Sequence, residues 1–89
     1  MAYPEDLEKI AKLFIELGKL IERGYTIKDL LIVRGYDIYK GNKLILRVKS
    51  SWKQKPWKDV WAIKDFERNK IYTNLSPVEA SKIIRERFA

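Results

Sequence analysis

The 89 residues contain no cysteine and no histidine. Without cysteine there is no disulfide, no thiol nucleophile and no thiolate metal site, which suits a reducing or a hot compartment. Without histidine the chain lacks the residue most used to hold zinc or haem and to carry protons near neutral pH. A metal site would have to be assembled from carboxylates, which favours magnesium or manganese. Ser50 and Ser51 have no imidazole to activate them. Glutamine occurs once, while lysine, glutamate and isoleucine are plentiful, as in heat-adapted or designed chains. No apolar run approaches the roughly 20 residues that span a bilayer. The opening MAYPEDLEK is acidic and lacks a signal-peptide pattern. These absences lead us to expect a cytoplasmic protein with no cofactor, no metal, no membrane partner and no enzymatic activity.

What is present suffices for folding. With 46% apolar and 35% charged residues, residues 1–89 are expected to form one domain with a modest core. The net charge is +7, from 19 basic and 12 acidic residues. Its placement is uneven. The stretch Ile38 to Lys58 carries seven basic residues and no acidic one: Lys40, Lys43, Arg47, Lys49, Lys53, Lys55 and Lys58. Taking those seven from 19 leaves 12 basic residues facing 12 acidic ones. Tyr39, Trp52 and Trp57 are interleaved with the cations.

In chain order, Pro4 to Arg23 reads as a helix. Leu7, Ile10, Phe14, Leu17 and Ile21 recur at three- and four-residue steps, and Ala11, Leu13, Gly18 and Leu20 widen the stripe. Glu8, Lys9, Lys12, Glu16, Lys19 and Glu22 would form the solvent face. Pro4 suits the first turn and Gly24 a left-handed cap. Tyr25 to Arg34 admits two readings. Thr26 and Asp29 match a capping box for a helical turn through Leu31, and Leu30 to Val33 match a buried strand. Tyr36–Lys40 and Lys43–Ser50 alternate around Gly41-Asn42, a type II′ hairpin signal. Leu44, Leu46 and Val48 are expected on the core side, with Ile45, Arg47 and Lys49 outside. Ser51 to Pro56 reads as a loop, Trp57 to Phe66 as a third strand, and Lys70 to Asn74 as a short last strand. Either Trp57, Trp61 and Ile63 or Val60, Ala62 and Phe66 would face inward. Ser76, Pro77 and Glu79 open a second helix with a capping box. Its apolar residues are Ala80, Ile83, Ile84 and Phe88. The expected fold class is α+β: an N-terminal helix, an antiparallel meander of three to four strands, and a C-terminal helix, with both helices on one sheet face.

Strand alternation puts Arg47 and Lys49 on one face about 7 Å apart, and a loop tip would present Lys53, Lys55 and Lys58. Several cations on one track suit a phosphate backbone, and Trp52, Trp57 and Tyr39 suit base stacking. The expected partner is therefore nucleic acid, DNA or RNA, bound with little sequence preference. The expected site is Lys40, Lys43, Arg47, Lys49, Trp52, Lys53, Lys55, Trp57 and Lys58. The alternative is a module docking an acidic protein partner. The chain would be a monomer or an edge-strand homodimer. Asp59 and Asp65, six residues apart, would share a strand face and pair with Lys58, Lys64 and Arg68.

Asp37 followed by Arg47-Val48-Lys49 resembles the metal-binding strand-turn-strand of restriction-endonuclease-like nucleases and junction resolvases. That pattern has an acid-x-Lys triplet, and Arg47 stands where its second carboxylate belongs. The resemblance therefore implies a relative that binds without cleaving. The helix–strands–helix order is similar to that of double-stranded-RNA-binding domains. The lysine cluster those domains carry at the second helix is replaced here by Ser76-Pro77-Val78-Glu79, so their function is not carried over.

Overall fold

The computed structural model describes residues 4–31, 34–51 and 60–89, with side chains from residue 8 onward and residue 51 excepted. The elements in order are α1 (Pro4–Glu22), β1 (Thr26–Asp29), β2 (Gly35–Lys40), β3 (Lys43–Ser51), β4 (Val60–Asp65), β5 (Lys70–Leu75) and α2 (Pro77–Arg87). The strands form one antiparallel sheet in the order β1-β2-β3-β4-β5. The α+β class and its helix–meander–helix order hold, with five strands where three or four were expected. The additional strand is β1. Thr26 and Asp29 do not cap a helical turn; they pair with Tyr39 and Tyr36 of β2. Leu30 and Leu31 belong to neither helix nor strand, and Leu31 is 95% exposed.

Local chemistry explains the boundaries. Gly24 adopts φ 94° and ends α1. The Gly24 N–H donates to the Ile21 carbonyl and the Tyr25 N–H to the Leu20 carbonyl, the double bond of a Schellman cap. Gly41 turns the β2–β3 hairpin at φ 62° while Asn42 keeps a negative φ, consistent with the type II′ turn. At α2 the Ser76 hydroxyl accepts from the Glu79 N–H, and the Glu79 carboxylate accepts from the Ser76 N–H. Such a cap contributes about 1 kcal/mol.

Both helices lie on one sheet face. Leu13, Leu17 and Leu20 of α1 and Ala80, Ile84 and Phe88 at α2 form one cluster with Ile38, Leu46, Val48, Trp61, Ile63 and Leu75. The inward stripe of α1 is Ile10, Leu13, Leu17 and Leu20, rotated from the expected one: Phe14 is 40% and Ile21 59% exposed. Glu16, expected in solvent, is buried on the α2 side and bonded to Lys19 Nζ at 3.2 Å. The rotation follows from α1 having two partners, the sheet and α2.

β3 departs from simple alternation. Ile38 pairs with Leu46 but Tyr39 pairs with Leu44, so Ile45 is the extra residue of a β-bulge. Ile45 and Leu46 therefore both turn inward and are buried, and Leu44 changes sides. In β4 the inward set is Trp61, Ile63 and Asp65. Trp57 lies outside the described residues. The outer edge of the sheet at β5 is interrupted where Asn74 takes φ 56° beside a second register shift.

Candidate nucleic-acid interface

The sheet face away from the helices carries no helix or strand among the described residues. The register sorts its side chains into rows. The first row is Lys28, Asp37, Arg47, Lys64 and Ile71, one residue from each strand. One step further along is Gly35, Lys49 and Ala62. On the other side lie Thr26, Tyr39, Leu44 and Phe66, the last joined to β3 by its N–H donating to the Ile45 carbonyl at 2.9 Å.

Three lysines stand exposed on this face: Lys28, Lys49 and Lys64. None of them makes an ion pair among the described residues. Arg47 is half-exposed. Its Nε and Nη2 donate to the two oxygens of buried Asp37 at 2.7 and 3.1 Å. That bond holds the Arg47 guanidinium more firmly protonated than usual. The row is therefore one buried anion beside three cations, with Arg47 and Lys64 directly opposite each other. Like charges so placed are unfavourable in an isolated sheet. Both lean on the same ring: Arg47 Cζ is 5.8 Å and Lys64 Nζ 5.0 Å from the Phe66 centroid. Lys28 Nζ sits 4.8 Å from the Tyr39 centroid.

The expected site residues divide three ways. Arg47 and Lys49 stand on the face turned away from the helices as alternation required. Lys40 and Lys43 are engaged elsewhere, Lys40 with its Nζ 5.7 Å from the Tyr25 ring centroid and Lys43 in an ion pair with Glu67 at 3.3 Å. Trp52, Lys53, Lys55, Trp57 and Lys58 lie outside the described residues, as does Asp59. The chain leaves and re-enters the sheet at the pair Ser51–Val60, at the Lys49 end of the basic track. Lys28, Lys64 and Phe66 went unrecognised as site residues. Strand alternation alone placed Lys64 and Phe66 on a common face, but no local signal set that face beside Arg47.

Asp65 does not pair as expected. It faces α2, where Arg87 Nε donates to its Oδ2 at 2.6 Å, and the N–H groups of Glu67 and Arg68 donate to Oδ1 at 3.0 Å each. Burial pushes its carboxyl up, but Arg87 and the two N–H groups outweigh it and hold the group below its ordinary value. Arg87 Nη2 also reaches Glu67 at 2.5 Å. A cleft of about 190 Å³ opens beside this cluster, lined in part by Asp65, Glu86 and Arg87. Among the described residues no group of three or more acidic side chains could hold a metal ion. Asp37, the acid of the nuclease-like segment, has both oxygens committed to Arg47. No helix among the described residues is long and apolar enough to cross a membrane. Neither a family model, nor a curated protein, nor a solved structure matches the chain.

Proposed function

We propose that this chain is a non-enzymatic nucleic-acid-binding protein that uses the sheet face turned away from the helices. Lys28, Arg47, Lys49 and Lys64 would contact phosphate, and Lys53, Lys55 and Lys58 would extend the track beyond Ser51. Trp52 and Trp57 stay with the proposal as stacking groups of that segment. Lys40 and Lys43 take a marginal part, since they lie off the row of the other cations, Lys40 beside Tyr25 and Lys43 paired with Glu67. The observation that carries the reading is the cross-strand pair Arg47–Lys64 with Lys49 one step along. Asp37 balances Arg47, while Lys28, Lys49 and Lys64 have no ion pair among the described residues, and a polyanion would supply their counter-charge.

The test is fluorescence anisotropy with short DNA and RNA at low and moderate salt. Four phosphate contacts predict a log–log salt slope of about −3 to −3.5. The double variant Lys49→Glu/Lys64→Glu should weaken low-salt binding by about tenfold or more, since each site exchanges attraction for repulsion. Absence of binding at low salt would sink the proposal.

A second reading has one observation in its favour. Ile71 is 68% exposed directly beside Lys64 in the charged row, as in an acidic protein's docking patch with an apolar anchor. Ile71→Ala separates the two readings, because it should damage protein docking and leave phosphate contacts intact.

A further inference from the structure

We infer that the nucleic acid is single-stranded and that its bases stack on the row formed by Tyr39, Leu44 and Phe66. This rests on the phosphate reading above and adds to it the strand type and the groups that hold the bases. A nucleotide carries its base and its phosphate on different sides of the sugar. A single strand therefore needs an apolar track and a cationic track side by side.

The face turned away from the helices has that pair of tracks. Tyr39, Leu44 and Phe66 lie across β2, β3 and the end of β4, and none of them belongs to the core on the helix side. The cationic row of Lys28, Arg47 and Lys64 lies one step away, about 7 Å along the strands. Tyr39 and Phe66 are half-buried, so their rings are fixed without being hidden. They stand on strands two apart, roughly 10 Å. Each ring has a cation over it, Lys28 for Tyr39 and Arg47 with Lys64 for Phe66, and a base would take that place as the cation turns to the neighbouring phosphate. Guanidinium planes and aromatic rings both accept a stacked base whatever its identity.

Duplex fits less well. A duplex buries its base faces in its own stack, leaving an aromatic row nothing to stack on. The major groove is about 12 Å wide and admits a helix or a two-stranded ribbon. Arg47 and Lys49 sit on the central strand of five, in a sheet about 19 Å across at ~4.8 Å per strand. That surface meets a duplex only along its phosphates.

The experiment compares wild-type binding to three probes at one low salt concentration. They are an oligothymidylate, an abasic oligomer of equal length and charge, and a duplex of equal length. Stacking on two rings predicts that the oligothymidylate binds at least about tenfold tighter than the abasic strand. Phe66→Leu should remove most of that preference, weakening the thymidylate more than the abasic strand, and Phe66→Trp should restore it. Circular dichroism and thermal melting establish that the variants fold, and the wild-type comparison stands without them. Equal binding of the thymidylate and abasic strands, or a duplex preference, overturns the stacking and leaves the phosphate reading in place. A Phe66→Leu loss that is the same for both single strands likewise overturns it. Failure to bind any probe overturns both.

Discussion

Gly35 is the residue at which β2 and β3 approach too closely for a side chain. A Cβ there would stand 2.6 Å from the Val48 carbonyl oxygen and 2.9 Å from both Cα and Cβ of Lys49. Two of these three atoms are backbone, so the contact is not relieved by turning a side chain. Gly35→Ala should therefore destabilise by about 1–3 kcal/mol, the usual range for overpacking. In a chain of this size that is a melting-temperature loss of roughly 5–15 °C, readable by circular dichroism. An unchanged melting temperature would mean that the strands separate freely at this point. In the sequence Gly35 reads only as a permissive bend, because the atoms it would strike lie in a strand thirteen residues further on. Trp61 shows the same limit from the other side. Alternation grouped it with Ile63 and left open which set of that strand faced inward, and its size favoured burial. Its indole N–H, however, is buried without an acceptor among the described residues, a feature that depends on packing.

Among the elements, α2 was the most legible, because its cap is written in four consecutive residues and needs nothing else. The face of α1 was misread by about one position. Phe14 and Ile21 complete a regular apolar stripe, but the neighbour that decides which stripe is buried is α2, distant in sequence. The clasp between α2 and the end of β4 was equally hidden. Arg87 joins Asp65 across 22 residues, and the Asp65 side chain is 3% exposed. Removing the guanidinium, as in Arg87→Leu, leaves a buried carboxylate with only its two N–H donors. That should cost about 3 kcal/mol, the low end for breaking a buried pair. The sign with pH follows from the depressed Asp65 carboxyl. Its stabilisation is complete above the unfolded value of about 4 and is lost as pH falls through the folded value. Urea denaturation should therefore show a large gap between wild type and Arg87→Leu at pH 7 that narrows progressively as pH falls below about 4. A gap that stays constant through that fall would assign Arg87 a packing role alone.

For the whole molecule, the sequence places its excess charge along one window, and of that window Arg47 and Lys49 stand on the sheet face away from the helices, beside Lys28 and Lys64 from outside it. Alternation was enough to put Arg47 and Lys49 outside. Lys28 and Lys64 join them only through the register of four strands, and Phe66 only through the turn after β4. The same composition makes a prediction about pH. Without histidine or cysteine, the sequence has no side-chain type whose ordinary pKa lies between about 5 and 9. Only an α-amino group, near pH 8, changes in between. At fixed ionic strength the affinity for a single strand should thus vary by no more than about twofold from pH 5.5 to 9. Raising salt fourfold at constant pH should weaken it roughly 50-fold, from a slope of about −2.8 for four contacts to a single strand. Anisotropy titrations on both axes test this together. A steep salt dependence with a flat pH profile is the signature of lysine and arginine on phosphate. A tenfold change between pH 6 and 8 would require a group titrating near neutrality. The sequence has no side-chain type of that ordinary pKa, so that result would count against the basic face as the source of the binding.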